Sequence, residues 1–454
     1  MANESLSSQT PGASGTPQAP PLEKATRPGN YFVTNYPPYA FWKPEQVPVF
    51  EAALREPPRP DVWLGVYAHI PFCRKRCHFC YYKVYTDKDA RQVWNYLEAM
   101  LQELARYARQ PFVGGRKPKF VYFGGGTPSY LSEKQMRHLT DEMKRLLPWD
   151  EAEEVTFEAE PGTLTDHKLR TIREVGVTRL SLGIEHFDDH ILEINGRAHR
   201  SREILRAYHY AREVGFPQIN IDLIAGMVEE TEERWRETVE RALELKPDSL
   251  TVYQMEVPFN TTLYQRMKAE GKLVAPVADW ETKRRWVDYA FRRFEEAGYT
   301  VTSTSTVVKD PERTRFVYRH QLFSGADILS VGVASFGHIN GVHYQNHHEF
   351  DPYVRAIQEG RSPVYRALKP TREELCIREL MLLLKLGEVR RDYFVRKFGT
   401  DPVEAFAEPI RRLKATGHLV VEPDRLRLDR AGLLKVDELI REFFKPEHRG
   451  GKYA

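Results

Sequence analysis

Three of the four cysteines in this chain lie within eight residues, at Cys73, Cys77 and Cys80, and the fourth is the distant Cys376. Thiolates are soft ligands that suit iron and zinc. A structural zinc site or an ordinary iron–sulfur cluster takes four protein ligands. A local set of three therefore indicates a metal centre with one coordination position left open, and open positions are where catalysis occurs.

The cysteines alone leave a second interpretation open. A zinc site completed by His69, His78 or a distant residue is compatible with them, because such spacings also occur in zinc proteins. A disulfide is disfavoured, since no signal peptide precedes the cysteines and clustered thiols in such a chain are typical of metal ligands. Other motifs have to decide.

Size and charge limit the possible partners. The chain has 454 residues, enough for more than one domain and a large core. Its 67 basic and 64 acidic residues give a net charge of only +3, which predicts no nucleic-acid partner. No run of about 18 apolar residues occurs, so no membrane span is expected. The reduced cysteines indicate a cytoplasmic protein.

The N-terminal part divides into two segments. Residues 1–30 are rich in Pro, Ser, Gly and Ala and bury too little to offset chain entropy, which predicts a disordered tail. Residues 31–61 form an arm whose first half is aromatic and punctuated by proline. Two interpretations of this arm stay open, a segment folded over the main domain near the metal site and a loose surface tail.

From residue 62 to about 310, short β-rich runs alternate with charged helical segments, which predicts parallel β/α units in an open, partial TIM-type (β/α)6 barrel. The predicted strands are Val66–Ile70, Phe120–Phe123, Glu154–Glu158, Arg179–Ile184, Ile219–Ile224 and Ser249–Met255. The predicted helices are 89–109, 132–147, 165–175, 200–214, 231–245 and 279–298, with a further strand at Tyr299–Val307.

Polar motifs follow the predicted strands at their carboxyl ends, where such barrels carry their sites. In order of the strands, they are Cys73, the run 124–128 (GGGTP), the run 158–161 (EAEP), the run 183–185 (GIE), Asp222 and the run 253–256 (YQME). A full set at one rim is improbable by chance. It favours a catalytic iron–sulfur centre over zinc.

The Cys-x3-Cys-x2-Cys spacing, with Phe79 before the last cysteine, resembles the signature of radical S-adenosylmethionine (SAM) enzymes. Further segments resemble the HemN-like branch, which contains oxygen-independent coproporphyrinogen III dehydrogenase, and they span residues 67 to about 346. They read YAHIPFCRKRCHFC, YFGGGTPSYL, FEAEPGTL, RLSLGIEHFDDHILEINGR, INIDLIAG, YQMEVPFNTTLY and GVASFGHINGVHYQN.

This resemblance implies a set of cofactors and the residues that bind them. Cys73, Cys77 and Cys80 would hold a four-iron–four-sulfur (4Fe-4S) cluster, and one or two SAM molecules would bind, with an electron donor such as flavodoxin or ferredoxin. The positions implied to contact SAM are Tyr67, Phe79, Gly125, Gly126, Glu158, Glu185, Arg197 and Asp222. Glu185 stands where the family usually has glutamine, and an ionised carboxylate only accepts hydrogen bonds.

The reaction implied by the resemblance begins with reductive cleavage of SAM to a 5′-deoxyadenosyl radical, which removes a hydrogen atom. Tyr82 replaces a cysteine of the coproporphyrinogen dehydrogenases, and Tyr81 replaces an aspartate of the heme chaperones. These departures favour two-SAM transfer of a methyl or methylene carbon to an sp2 carbon of an organic substrate. The alternatives are oxidative decarboxylation of the tetrapyrrole coproporphyrinogen III and a heme-binding chaperone.

Two segments follow the barrel. Residues 311–368 resemble a HemN-like extension near the active site. Residues 369–454 predict a winged-helix-like α+β module that acts as a lid, with helices at 371–386, 389–398, 402–416 and 430–444 and a hairpin at His418–Leu428. Cys376 occupies an apolar helix position and is predicted to be a core residue.

Overall fold

The computed structural model describes residues 32–258, 261–269 and 277–449, so the predicted disordered tail at 1–30 lies outside the described residues. Within these ranges no helix combines the length and the apolar character needed to cross a bilayer.

The six strands of the predicted barrel are confirmed. They are β1 (Leu64–Ile70), β2 (Phe120–Gly125), β3 (Glu154–Ala159), β4 (Arg179–Glu185), β5 (Gln218–Ala225) and β6 (Ser249–Gln254). They pair in chain order and all neighbours are parallel. Their carboxyl ends therefore meet at one rim, which is what brings the polar motifs together.

Helices link these strands and cover the outside of the barrel. They are α1 (Val47–Arg55), α2 (Ala90–Ala108), α3 (Glu133–Leu146), α4 (Asp166–Glu174), α5 (Asp189–Ile194), α6 (Ser201–Val214), α7 (Glu232–Leu245), α8 (Thr262–Ala269) and α9 (Trp280–Glu296). Capping residues fix the start of two of these helices. Asp89 before α2 and Ser132 before α3 each form a capping box with the glutamine three residues later.

The predicted strand at Tyr299–Val307 is wrong. The structure has two short antiparallel strands there, β7 (Thr300–Val301) and β8 (Thr306–Val308), and β8 pairs with β6. The amide of Thr302 donates to the carbonyl of Thr306 across the turn between them. Hydroxyl-rich runs such as 302–306 bond to their own backbone and favour turns over extended chain.

Residues 311–368 continue the sheet on the other side of β1. Here lie α10 (Val317–Phe323), β9 (Asp327–Val331), β10 (Phe336–Ile339), β11 (Val342–Asn346), α11 (Phe350–Gln358) and β12 (Val364–Leu368). The sheet has twelve strands in the order β12-β11-β10-β9-β1-β2-β3-β4-β5-β6-β8-β7. Since β9 is parallel to β1, the strand that leads into the cysteines has a hydrogen-bonded neighbour on each edge.

The N-terminal arm packs on the protein rather than lying loose. The ring of Trp42 stacks on His343 of β11 with centroids 5.1 Å apart, and Phe50 of α1 packs on Tyr344 at 4.4 Å. Further along, the amide of Phe32 donates to a carboxylate oxygen of Glu256 at 2.5 Å, just past β6. The arm therefore reaches the carboxyl rim of the barrel.

The C-terminal part has its own apolar core around a three-stranded antiparallel sheet of order β13-β15-β14. Its elements are α12 (Arg372–Leu384), β13 (Glu388–Arg390), α13 (Arg391–Phe398), α14 (Pro402–Ala405), α15 (Ala407–Ala415), β14 (Leu419–Val421), β15 (Arg425–Leu428), α16 (Arg430–Leu434) and α17 (Val436–Leu439), followed by a 3-10 turn (Ile440–Phe443). Cys376 lies buried in that core, as predicted.

Two predicted helices of this module are wrong because each is interrupted. The chain leaves helical values at Phe406 between α14 and α15, and at Lys435 between α16 and α17. The first break has a clear cause. Pro409 cannot donate a backbone hydrogen bond, so a helix accommodates it in the first turn, and restarting at Ala407 puts it there.

Candidate active site

The loop between β1 and α2 carries the three cysteines and is fixed at both ends. The amide of Cys73 donates to the carbonyl of Tyr85 at 3.1 Å, and the amide of Tyr85 donates to the carbonyl of Pro71 at 2.8 Å. The amide of Cys80 closes a turn onto the carbonyl of Cys77 at 3.2 Å. As a result, all three cysteines line one cavity of about 400 Å³ at the barrel rim.

The thiols sit in a partly buried and polar setting. The sulfur of Cys73 lies 3.2 Å from the hydroxyl of Thr127, and Arg197 Nη1 donates to the sulfur of Cys77 at 3.2 Å. Burial raises the pKa of Cys73 to about 11 and that of Cys80 to about 12. A metal that binds here therefore displaces the thiol protons.

The donor set suits a cluster. Three soft sulfur donors from one loop match the requirement of a 4Fe-4S cluster that keeps one iron for another ligand. Among the residues that the structure describes, no three His, Cys, Asp or Glu side chains are arranged to hold one metal ion. A cubane cluster does not need that convergence, since each thiolate binds a different iron.

Two glycines at the end of β2, Gly125 and Gly126, create a cradle beside the cysteines. Gly125 has φ +114°, and a Cβ there would lie 2.6 Å from Cε1 of His69. A Cβ on Gly126 would lie 2.9 Å from the backbone of Pro71 and 3.1 Å from the sulfur of Cys73. Only glycine leaves this backbone open to a ligand, which fits the SAM role implied by the resemblance.

Two carboxylates of the inner wall, Glu158 on β3 and Asp222 on β5, line the cavity on either side of β4. Glu158 accepts from the hydroxyl of Tyr122 at 2.5 Å and from the amide of Gly125 at 3.2 Å. Burial, aided by the charge of Asp222, outweighs these bonds and raises the pKa of Glu158 to about 7. Burial also raises the pKa of Asp222, against the attraction of Arg179. The positive charges near these two buried acids are therefore too few to offset the cost of burying their negative charge.

Glu185 ends β4 in a strained conformation, with φ +68°. Its carboxylate lies 3.5 Å from Arg197, which is itself held by a 2.7 Å bond to the carbonyl of Gly183. Burial raises the pKa of Glu185 to about 7, and Arg197 only partly opposes it. Non-glycine residues at positive φ cluster at functional sites. The strained backbone of Glu185 is consistent with a functional role for its carboxylate, which lines the cavity.

Of the eleven residues predicted for the site, ten line the cavity and Tyr67 does not. Tyr67 lies on β1, where its hydroxyl is 3.1 Å from Nδ1 of His69 and its ring stacks on Tyr122 at 5.9 Å. The structure therefore connects Tyr67 to the cavity only indirectly, through Tyr122 and its bond to Glu158.

Several residues of the site were not assigned a role from the sequence. Thr127 follows the glycine run directly, and Glu160 lies two residues after Glu158 in the same motif. Both could therefore have been predicted as site residues from the motifs. Burial and the surrounding charges shift the pKa of Glu160 in opposite directions. The hydrogen bond from His199 and the charges of Arg197 and Arg74 outweigh burial and lower its pKa to about 2. His199 gave no sequence signal, whereas Phe32 belongs to the aromatic arm for which the sequence left open a position near the metal site.

Comparison with known proteins agrees with this geometry. Residues 67–242 match the family model described as the radical SAM superfamily. The chain is 29% identical over 383 residues to the heme chaperone HemW of Bacillus subtilis, covering 84% of this chain and 98% of that protein. It is 27% identical over 400 residues to the oxygen-independent coproporphyrinogen III oxidase of Escherichia coli, covering 86% and 83%.

Among solved structures, coproporphyrinogen III oxidase (HemN) from Escherichia coli, described there as a radical SAM enzyme, matches with a TM-score of 0.77. The sequence identity is 24%, and the alignment covers 91% of this chain and 96% of that one. The similarity in fold therefore extends beyond the barrel to the sheet extension and the C-terminal module.

Proposed function

We propose that this chain, which carries a radical SAM domain, is a HemN-like enzyme that uses SAM and a 4Fe-4S cluster to oxidise a tetrapyrrole of the coproporphyrinogen class. The observation that carries the proposal is one cavity where three cysteines, a glycine cradle and four carboxylates with raised pKa, Glu256 among them, converge. The likeness to coproporphyrinogen oxidases over most of the chain supports the substrate class.

In this proposal each of Cys73, Cys77 and Cys80 holds one iron. The open backbone at Gly125 and Gly126 receives the amino and carboxylate groups of SAM. The carboxylates of the cavity wall accept hydrogen bonds from its hydroxyl and ammonium groups, and their charges complement its sulfonium. These carboxylates are Glu158, Glu185 and Asp222.

When bound, the reduced cluster and SAM supply a carbon-centred radical that removes a hydrogen atom from an unactivated carbon. The protein's own contribution is enclosure and orientation. Tyr82 and Tyr253 present half-exposed aromatic rings to the cavity, where flat apolar groups can pack. Phe32 of the arm and Leu434 of the C-terminal module line the opposite side, so three parts of the chain limit the access of water.

The sequence departures at Tyr81 and Tyr82 favoured two-SAM carbon transfer as the leading reaction. The curated relatives favour the other two readings, because they are coproporphyrinogen oxidases and a heme chaperone, and they give methyl transfer no support. The tyrosines remain compatible with oxidation, since their rings enlarge the aromatic surface that faces the substrate.

A heme chaperone on the same scaffold is the second candidate. One specific observation favours it, namely that the match to HemW extends over 98% of that protein. In that case the cavity would serve cluster and SAM binding, and heme would be carried as cargo.

The test uses anaerobically reconstituted, reduced protein with SAM and coproporphyrinogen III labelled with 13C in its propionate carboxyls. We expect 5′-deoxyadenosine, labelled carbon dioxide and a product with vinyl groups, because each propionate loses a β-hydrogen atom, one electron to an added oxidant, and carbon dioxide. S-adenosylhomocysteine with a methylated product would instead indicate carbon transfer. Stoichiometric heme binding without turnover would indicate the chaperone.

Cysteine variants make matched controls for this assay. Cys77→Ala removes a proposed iron ligand, whereas Cys376→Ala removes a thiol from the core of the C-terminal module. The proposal requires the first to abolish 5′-deoxyadenosine formation and the second to retain it.

A further inference from the structure

We propose that Glu160 is a positioning residue that locks the cysteine loop to the segment carrying Arg197, and so sets the geometry of the cluster and SAM. This inference rests on the proposed cluster site. Glu160 lines the cavity but is held by other residues of the chain on all sides, unlike the acids of the inner wall.

The backbone of Glu160 is anchored before its side chain is considered. Its amide donates to the hydroxyl of Ser129 at 3.0 Å, and its carbonyl accepts from the hydroxyl of Thr163 at 2.8 Å. The two hydroxyls lie 2.5 Å apart and complete a buried bridge. The carboxylate is thus presented from a fixed point at the end of β3.

On one side the carboxylate holds Arg74, the residue that follows Cys73. Arg74 donates from Nη2 and Nε to the two oxygens of Glu160, at 3.0 and 3.4 Å. Such a two-pronged contact fixes the plane of the guanidinium as well as its position. A Cβ on Gly162 would lie 2.1 Å from that Nη2, so a larger residue at position 162 would shift the guanidinium from this place.

On the other side the same carboxylate holds His199, which is buried. Nδ1 of His199 lies 3.0 Å from Glu160 Oε1, and Nε2 lies 3.1 Å from the carbonyl of Ile184. Burial lowers the pKa of His199, and the neutral ring has one N–H, which it donates to one of these two acceptors. The ring therefore lies between the carboxylate of Glu160 and the end of β4.

These contacts reach two of the proposed iron ligands, Cys73 and Cys77. Arg74 also donates to the carbonyl of Ala198 at 3.1 Å, and the neighbouring Arg197 donates to the sulfur of Cys77. A carboxylate that orients the residues next to a metal ligand acts as an outer-shell partner, and losing one typically costs 10- to 100-fold in affinity or activity.

The experiment compares Glu160→Gln, Arg74→Gln and the double variant, each reconstituted with iron and sulfide. Iron content, the electron paramagnetic resonance (EPR) spectrum of the reduced cluster with and without SAM, and the Kd for SAM are measured. We expect full iron loading, an altered EPR spectrum with SAM, and about tenfold weaker SAM binding in each single variant. The double variant should lose less than the product of the two single losses, because the Arg74–Glu160 contact is common to both variants.

Glu379→Gln is the matched control, since Glu379 is also a buried carboxylate, paired with Lys397 at 2.8 Å in the C-terminal module. Its EPR spectrum and SAM affinity should equal those of the unmodified protein. Glu160→Asp, which keeps the charge, should recover part of the SAM affinity and serves if Glu160→Gln does not fold.

Two results would overturn the inference. One is a Glu160→Gln protein whose EPR spectrum and Kd match the unmodified protein. The other is multiplicative losses in the double variant, which would mean that Glu160 and Arg74 affect SAM binding independently of each other. Failure of the unmodified protein to assemble a cluster would overturn the proposed function itself, so the two failures are distinguishable.

Discussion

Two groups of carboxylates in this protein meet the low-dielectric interior in different ways. Glu158, Glu185 and Asp222 face the cavity, and burial raises the pKa of each. Asp327 and Glu379 lie elsewhere in the fold and are just as enclosed, yet each is matched by cations. Asp327 lies 2.7 Å from Arg59 and 2.9 Å from Arg116, and Glu379 lies 2.8 Å from Lys397.

A raised pKa alone does not identify a ligand site, since burial also raises the pKa of Glu103 to about 7 away from the cavity. What distinguishes Glu158, Glu185 and Asp222 is that they line one cavity together. A buried charge without a partner of opposite charge costs free energy. Several such carboxylates in one cavity are therefore expected where a bound ligand supplies the opposite charge. Perturbed pKa values at a cavity are for this reason typical of functional sites. In the described part of the chain, only Glu185 among these three cavity acids has a cation close by, Arg197 at 3.5 Å, and in the proposed function the positive charge of SAM complements the group.

The largest effect is expected from removing the metal rather than an acid. Cys77→Ala should reduce iron loading and abolish 5′-deoxyadenosine formation, because the two remaining thiolates, Cys73 and Cys80, are too few to hold the cluster. The melting temperature of the iron-free protein should change little, since the loop lies outside the sheet. Iron analysis and product chromatography measure the first effect, and retained activity would contradict the cysteine assignment.

Among the paired acids, Asp327→Asn should destabilise the protein by about 3 kcal/mol, because it leaves two arginines near a site with no matching charge. Urea denaturation of the iron-free protein measures this loss. The Kd for SAM should stay unchanged. A destabilised protein with altered SAM affinity would remove the distinction between the two groups of acids.

Among the cavity acids, Glu158→Gln should have the opposite pattern. We expect SAM to bind about tenfold more weakly, since a hydrogen bond to a charged group contributes about 1.5 kcal/mol. The stability of the iron-free protein should not fall, because the variant removes an unpaired buried charge. Calorimetric titration with SAM and urea denaturation test both halves.

The raised pKa values of two cavity acids predict a dependence of stability on pH. Glu158 and Glu185 have a pKa of about 7 in the folded protein, against roughly 4.3 in an unfolded chain. Between these values the folded state binds more protons, so their contribution to stability is present below about pH 4.3 and is lost as pH rises through 7. Iron-free protein should therefore lose stability over this window, and Glu158→Gln should flatten the slope. An unchanged slope would contradict the raised pKa.

Much of the barrel could be predicted because its information is local. The alternation of β-rich and helical segments located β1–β6. The motifs that follow these strands could then be predicted to meet, because parallel strands end at one edge of the barrel. Cysteine spacing and the glycine run identified the cluster loop and the cradle for the same reason.

What could not be predicted depends on distant contacts. The pairing of β9 with β1 joins strands more than 250 residues apart, and no local pattern encodes it. The position of Tyr67 behind Tyr122 depends on side-chain packing. The hairpin at 300–308 and the breaks at Phe406 and Lys435 depend on turn chemistry within segments whose apolar spacing favours one continuous element.

The pairing of β1 on both edges has a consequence for the lifetime of the site. Strands paired on both sides open only with the whole domain, whereas loops open locally. The cysteine loop can therefore release a damaged cluster and accept a fresh one while the strand beneath it stays closed. Amide hydrogens of β1 should exchange as slowly as the most protected in the protein, even after oxygen has stripped the iron away.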